Sequence, residues 1–210
     1  RKQPGFGMLN PVIRALMPIL VPHQRKLDYE AAQRVDVWIA NSTETQKRIK
    51  TYYGKQATVI YPPVETHRFT PARTRSDYYV TLGRQLPNKR FDLAVAACTK
   101  LGVPLKVFGR GEMHDELRKI AGPTIEFYTD RFGDASDEAV ERALNHAKGF
   151  VFPSDEDFGI VSVEALAAGA PVIGYDSAGT RDIVTQGETG VLFARQTVDD
   201  VVEAIKRAET

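Results

Sequence analysis

The sequence lacks the features that mark several classes of protein. It contains a single cysteine, Cys98, so no disulfide can form within its 210 residues, which fits a reducing compartment. Cys98 stands in an apolar run and is expected to be a small buried hydrophobe. No apolar run reaches the roughly 18–20 residues of a membrane-spanning helix, and no signal-peptide pattern follows Arg1. These absences predict a globular cytoplasmic protein.

The sequence also has no large excess of positive or negative charge and none of several common catalytic motifs. Lys and Arg number 28 against 27 Asp and Glu, so no overall positive field would attract nucleic acid. No G-x-G-x-x-G pattern follows the first strand predicted after Asp77, which disfavours a dinucleotide-dependent oxidoreductase. The four histidines are scattered, and no Ser-His-Asp or Cys-His arrangement is readable. The D-E-D of 155–157 spells the D-x-D of some divalent-metal sites, but the strand order predicted below argues against that use, so no metal is expected.

What the chain does contain is an alternation of short apolar runs with helical patterns, from Asp77 onward. Most runs are unalternated and rich in Val, Ile, Phe or Tyr, as expected for strands covered on both faces. We predict strands at 78–82, 105–108, 125–128, 150–152, 172–175 and 191–193, and helices at 90–101, 113–121, 137–146, 161–169, 181–184 and 198–208. Six strands alternating with helices imply right-handed crossovers and a doubly wound, Rossmann-like parallel sheet of the α/β class.

Residues 1–64 stand apart from this series. They contain a predicted strand at 35–40, a helix at 44–53 announced by the capping signal Asn41-Ser42, and a strand at 57–61. We interpret 1–64 as the last piece of a preceding domain, 65–77 as a connector and 78–210 as the sheet domain, so that the chain reads as part of a longer protein. The apolar segment 11–22 is compatible with a membrane surface, but its three prolines favour a helix packed on another domain.

Polar residues follow the predicted strands at their carboxyl ends, where open α/β sheets bind ligands. Arg84 and Lys89 come after the first strand and form a natural diphosphate clamp, because arginine offers a planar fork and lysine a mobile charge. Taken alone, they could equally be solvated surface cations. Gly109 and Gly111 follow the second strand and resemble a phosphate loop, although the Gly-Lys-Ser/Thr of a P-loop is absent.

The strongest signal is a pair of carboxylates, Glu156 and Glu164, with Phe158 and Gly159 between them. A helix beginning near Ile160 places Glu164 about one turn in, where its carboxylate can accept two hydrogen bonds from a vicinal diol such as ribose. The backbone N–H groups at the helix start and the helix dipole favour a negatively charged group there. The competing interpretation makes Glu164 an ordinary first-turn acid and Glu156 a solvated loop residue.

Taken together, these motifs resemble the C-terminal half of retaining glycosyltransferases of the GT-B architecture, family 4. The resemblance covers roughly 39–208 and is carried, in the family's order, by L-G-R-Q-L-P-N-K-R-F-D-L-A-V, V-F-G-R-G-E, I-E-F-Y, F-V-F-P-S-D-E-D-F-G-I-V-S-V-E-A-L-A-A-G-A-P-V-I-G-Y and G-E-T-G-V-L-F. The segments D-E-D-F-G-I-V and Y-Y-G-x-x-A-T-V-I-Y-P-P-V are most similar to those of bacterial mannosyltransferases of the O-antigen or exopolysaccharide type.

The resemblance implies roles for the candidate residues, with Arg84, Lys89 and Glu156 as the catalytic group. It assigns the donor diphosphate to Arg84, Lys89, Gly159 and Ile160, the donor sugar to Glu156, Phe158 and Gly159, the ribose to Glu164, and the edge of the base pocket to Gly109, Gly111, Tyr128, Thr129 and Arg131. Family members generally transfer the sugar without a metal, so no cofactor is expected.

The expected function is therefore binding of a nucleotide-diphosphate sugar, with GDP-mannose favoured. In the longer protein the sugar would pass with retention to a glycan or polyprenyl-diphosphate-linked acceptor, held by an N-terminal domain at the inner face of the cytoplasmic membrane. This piece alone is expected to bind nucleotide without transfer, since a half-site cannot position an acceptor. Two alternatives stay open, namely a nucleotide-sugar epimerase of the same architecture and a non-catalytic binding module.

Overall fold

The computed structural model describes residues 11–129, 133 and 135–209. The chain forms two compact units, Arg1–Ile60 and Tyr61–Thr210, each with its own internal packing. The first unit contains helix α1 (Pro11–Gln33), strand β1 (Ile39–Ala40), helix α2 (Thr43–Tyr53) and strand β2 (Thr58–Val59). β1 and β2 pair in parallel.

Helix α2 is capped at both ends. The Ser42 hydroxyl accepts a hydrogen bond from the Thr45 N–H at 3.1 Å, as an N-cap residue should. At the other end, Gly54 lies in the left-handed region with φ 68°, and its N–H bonds to the Lys50 carbonyl. The helix begins one residue before the predicted 44–53.

Helix α1 includes the segment 11–22, for which a helix was favoured, and continues through Pro18 and Pro22; both proline side chains are exposed, so water can satisfy the carbonyls that lose a backbone partner. The strand predicted at 35–40 shrinks to Ile39–Ala40, since only these residues pair with β2. In the part of the chain that the structure describes, no helix combines the length and the apolar character needed to cross a membrane.

The second unit contains the predicted α/β sheet. Its strands are β3 (Tyr79–Leu82), β4 (Leu105–Phe108), β5 (Ile125–Phe127), β6 (Gly149–Phe152), β7 (Val172–Tyr175) and β8 (Gly190–Phe193). Its helices are α3 (Phe91–Leu101), α4 (His114–Ile120), α5 (Asp137–His146), α6 (Ile160–Ala167), α7 (Thr180–Ile183) and α8 (Val198–Ala208). The bounds agree with the predictions within one or two residues.

All six strands are parallel, in the order β5-β4-β3-β6-β7-β8. The order reverses between β3 and β6, which is the doubly wound arrangement and confirms the predicted fold class. In such a sheet the crevice for a ligand lies outside the carboxyl ends of the strands, next to the reversal. The loops after β3, β4, β5, β6 and β7 all meet at that edge.

The sheet is covered on both faces, which explains why its strands read as unbroken apolar runs. One core packs α3 and α8 against side chains such as Leu105, Val107 and Ile173. The opposite core packs α5 and α6 against Phe108, Phe150 and others. Cys98 belongs to the first core and is fully buried, and burial raises the pKa of its thiol to about 12. The expected role as a buried hydrophobe is consistent with this position.

A single arginine joins the ends of two helices in the second core. The guanidinium of Arg75 donates hydrogen bonds to four backbone carbonyls, at 2.7–3.3 Å, those of Asn145, Ala147, Ala168 and Gly169. These carbonyls belong to the C-terminal ends of α5 and α6, which otherwise lack helical partners and carry the negative end of each helix dipole. Arg75 therefore fixes α6, the helix that carries Glu164, relative to α5.

Candidate functional site

The start of helix α6 has no side-chain cap. Its N-cap residue, Gly159, lies in the left-handed region with φ 89°, and a Cβ there would approach the Phe152 ring to 3.1 Å. Because glycine supplies no capping side chain, the first N–H groups of α6, including that of the exposed Ile160, can donate to a ligand. These donors and the helix dipole would stabilise a negatively charged group at the carboxyl end of β6.

Lys89 and Glu156 form an ion pair beside this helix start. Lys89 Nζ lies 2.7 Å from Glu156 Oε1, and the two side chains are only 18% and 28% exposed. The Ser154 hydroxyl donates to the Lys89 carbonyl at 2.9 Å and so ties the loop after β3 to the loop after β6. The resemblance assigned Lys89 to the donor diphosphate and Glu156 to the donor sugar, whereas the structure pairs the two side chains. A ligand that uses either one therefore changes the electrostatic environment of the other.

Arg84 is the second predicted cation, and its surroundings differ from those of Lys89. It follows β3 after Gly83, its side chain is exposed, and within the described residues its guanidinium makes no hydrogen bond or ion pair. An exposed guanidinium at the binding edge can engage a phosphate without first leaving another partner. Arg84 is thus exposed to solvent, whereas Lys89 is paired with a carboxylate.

Glu164 lies in α6 and is partly buried. Burial raises the pKa of its carboxyl; Arg68 opposes this change and Asp137 adds to it. A first-turn acid on an ordinary surface would be solvated, so the raised pKa speaks against that interpretation. No hydrogen-bond partner of the Glu164 carboxylate occurs among the described residues. Its oxygens are therefore free to accept bonds from a ligand.

The loop after β7 contacts the loop that carries Glu156 and supports it. The Gly179 N–H donates to the Glu156 carbonyl at 3.0 Å, and a Cβ on Gly179 would overlap the backbone of Phe158. The Phe158 ring is buried and stacks on Tyr61, with ring centroids 5.7 Å apart. Phe158 therefore anchors the loop through its buried ring.

Sequence reasoning missed a buried network that links the loops after β3 and β4. Gln85 is fully buried, and its amide donates to the Gly109 carbonyl at 2.5 Å. Its amide oxygen lies 2.9 Å from Nδ1 of His114, a buried residue that makes an edge contact with Phe127. The backbones join as well: the Gln85 N–H bonds to the Arg110 carbonyl at 2.7 Å. The only available signal was the position of Gln85 beside Gly83-Arg84.

The residues predicted to line the edge of the base pocket differ in their backbone conformation and their contacts. Gly109 and Gly111 follow β4 with φ of 104° and 157°, and a Cβ on either would overlap the loop after β3. Thr129 is buried, and its hydroxyl donates to the Gly109 carbonyl at 2.5 Å. Tyr128 follows β5, with its ring stacked on Phe108 at 4.5 Å. Arg131 lies outside the described residues.

Replacing Gln85 with leucine is expected to lower the free energy of unfolding by about 2–3 kcal/mol, because the buried His114 ring loses a partner and the Gly109 carbonyl loses its amide donor. Urea unfolding measures the change. The matched control is Gln186→Leu, which removes one bond to the Leu192 N–H at an exposed site and should cost less than about 1 kcal/mol. Equal losses in the two variants would contradict a loop-tying role for Gln85.

Comparison with known proteins gives a family match. The model of the family described as "Glycosyl transferases group 1" matches residues 64–210, more than two thirds of the chain. A GDP-mannose-dependent alpha-(1-6)-phosphatidylinositol monomannoside mannosyltransferase of Mycobacterium tuberculosis is 30% identical, over 89% of this chain and 56% of the relative. The chain thus spans little more than half the length of that relative.

Solved structures show the same fold. Sucrose-phosphate synthase from Thermosynechococcus elongatus superposes with a TM-score of 0.75 at 23% identity, over 89% of this chain and 52% of that one. Anabaena HepE, solved in complex with UDP and glucose, also gives a TM-score of 0.75, at 19% identity, over 88% of this chain and 56% of that one. At these identities the likeness establishes the fold alone.

Proposed function

Because this chain belongs to the glycosyl transferases group 1 family, we propose that it forms the donor-binding part of a retaining glycosyltransferase whose substrate is GDP-mannose. The observation that carries the proposal is the Lys89–Glu156 ion pair, set beside the uncapped start of α6. It gives one site a cation and helix N–H groups for a diphosphate, and a carboxylate for sugar hydroxyls.

In this proposal the donor diphosphate occupies the start of α6. Arg84, exposed at the same edge, and Lys89 would neutralise the charge that develops as the diphosphate leaves the sugar. The N–H groups of Gly159 and Ile160 would add donors that need no reorganisation, because the helix holds them in place. Stabilising the leaving group is then the main contribution of this half of the enzyme to the transfer.

Glu156 and Glu164 have separate tasks in the proposal. Glu164 would accept hydrogen bonds from the ribose diol, a role that its partly buried and otherwise unbonded carboxylate supports. Glu156 would accept hydrogen bonds from the donor sugar while still paired with Lys89. Glu164 would then contact any bound nucleotide, whereas Glu156 would contact only nucleotides that carry a sugar.

The proposal contains no metal. Asp155, one of the two aspartates of the D-E-D sequence, accepts a hydrogen bond from the Ser177 hydroxyl at 2.8 Å and so has a structural partner. In the described ranges, no group of three or more His, Cys, Asp or Glu side chains could hold an ion. The two cations and the helix start would carry out the charge neutralisation that a divalent ion performs at other diphosphate sites.

GDP-mannose is proposed on the strength of the relatives. The Mycobacterium tuberculosis protein is named for GDP-mannose and for a phosphatidylinositol mannoside acceptor. We extend the donor to this chain, together with a glycan or lipid-linked acceptor that the longer protein would hold at the inner face of the cytoplasmic membrane. The epimerase alternative is not favoured, since the mannosyltransferase relative covers most of this chain.

A ligand panel tests the proposal. Thermal unfolding is followed with GDP, UDP and ADP and with their sugar conjugates, and GDP-mannose is expected to stabilise the protein most. A ligand at 100 times its dissociation constant should add about 2.7 kcal/mol to the free energy of unfolding. Folded protein that shows no shift with any nucleotide would overturn the proposal, and a larger shift with UDP- than with GDP-sugars would overturn the choice of base.

A further inference from the structure

A cavity lies against the face of the sheet that α5 covers, and its lining includes Tyr128, which was predicted to edge the base pocket. Its volume is about 440 Å³. Three of its residues belong to the amino-terminal side of the sheet: Lys106 is the second residue of β4, Tyr78 directly precedes β3, and His146 ends α5. The small side chains of Ala139 and Ala143 on α5 leave space beside this part of the sheet.

Lys106 lies at the centre of the cavity wall. Its ammonium is 3.9 Å from the centre of the Tyr78 ring and 5.0 Å from that of Tyr128. Burial lowers the pKa of this ammonium, but the nearby Tyr128, Tyr78 and Glu126 outweigh burial, so the pKa is raised. The two rings therefore hold a permanent positive charge at a fixed position.

Helix α5 adds an arginine and a histidine to the opposite wall. Arg142 and His146 are four residues apart, so they share one face of the helix, and both are exposed. His146 Nδ1 lies 2.9 Å from the Arg142 carbonyl, which leaves Nε2 to face a ligand. The Ser76 hydroxyl completes the ring of donors at the cavity wall.

The described residues that line the cavity include no carboxylate. Neither Lys106 nor Arg142 forms an ion pair with a described residue. Glu126 lies opposite Lys106 in the strand register, and Glu138 one helical turn before Arg142, but neither lines the cavity. Cations that are gathered without carboxylates create a positive potential, which a bound anion would neutralise.

We propose that this cavity binds a phosphate monoester, at a site separate from the donor diphosphate. The charges match, since Lys106 and Arg142 offer two positive charges to a group that carries nearly two negative ones at neutral pH. The donors match as well, because three terminal phosphate oxygens can accept bonds from ammonium, guanidinium, imidazole and hydroxyl groups at once, whereas a carboxylate has two oxygens. A volume of about 440 Å³ leaves room for the esterified organic group.

The test uses NMR of the chain with labelled histidine and tyrosine, titrated with inorganic phosphate, then glycerol 3-phosphate, and with sodium chloride at equal ionic strength. The His146 and Tyr128 resonances are expected to shift with both phosphates and to stay in place with chloride. Lys106→Met should weaken glycerol 3-phosphate binding by about tenfold or more. A sedimentation assay uses vesicles of phosphatidylcholine with and without phosphatidic acid. Binding that requires phosphatidic acid identifies a lipid headgroup as the source of the monoester, and no binding to either vesicle identifies a soluble metabolite.

Lys148→Met is the matched control. Lys148 also lies near a tyrosine ring, that of Tyr79 at 5.8 Å, but Glu209 neutralises it at 2.6 Å, so this variant should bind glycerol 3-phosphate like the parent. If Lys106→Met does not fold, Arg142→Ala and His146→Ala replace it, since both side chains are exposed. Resonances that stay in place with phosphate, or equal losses in Lys106→Met and Lys148→Met, would overturn the proposal.

Discussion

Replacing Glu156 with alanine is expected to tighten the binding of bare GDP and to weaken that of GDP-mannose. The variant releases Lys89 from a carboxylate 2.7 Å away, so the freed ammonium attracts the diphosphate more strongly, by about two- to fivefold in dissociation constant. GDP-mannose gains the same attraction but loses charge-assisted bonds to its sugar, for a net loss of about tenfold. Calorimetric titration of both ligands measures the ratio of the two dissociation constants.

The decisive quantity is that ratio, because the two ligands move in opposite directions. Glu112→Ala is the matched control: it removes an exposed acid from the loop after β4, leaves the ion pair intact, and should change both affinities by the same small factor. Equal weakening of both ligands by Glu156→Ala would show that Glu156 holds nucleotide rather than sugar. Unchanged binding of both would remove Glu156 from the donor site.

The sheet and the start of α6 could be predicted because their signals are local. Unbroken apolar runs reveal strands covered on both faces, and a glycine before a helical pattern reveals an uncapped start, here Gly159. The position of Glu164 on α6 follows from the spacing of the chain alone. These features depend on neighbours within one or two turns, which the sequence displays directly.

Features that join distant loops could not be predicted in the same way. The Lys89–Glu156 pair links residues 67 positions apart, and nothing in either loop shows that they meet. Gln85 stands in a polar loop and reads as a surface residue, yet it is fully buried, because the loops after β3 and β4 close over it. In both cases the contact is set by the parallel order of the strands, which brings separate loops to one edge.

Replacing Glu164 with glutamine is expected to stabilise the protein and to impair nucleotide binding at the same time. Burial raises the carboxyl pKa, so the stabilising contribution of the protonated form is complete below the unfolded pKa and is lost as pH rises through the folded pKa. Glutamine stays neutral, so the variant gains on the parent as pH rises, by less than about 1 kcal/mol. It should bind GDP and GDP-mannose about tenfold more weakly, since the amide keeps one acceptor oxygen but loses the charge that strengthens bonds from the ribose hydroxyls.

Two comparisons isolate the ribose contact and the pH effect. With 2′,3′-dideoxy-GDP the parent should lose more affinity than Glu164→Gln does, because the bonds from the hydroxyls to the neutral amide are already weaker. Glu138→Gln should show the opposite pH trend: the pKa of Glu138 is lowered by its own backbone N–H and by Ser136, so its stabilising contribution is lost as pH falls. If removing the hydroxyls weakens parent and Glu164→Gln equally, Glu164 does not contact the ribose, whatever its effect on stability.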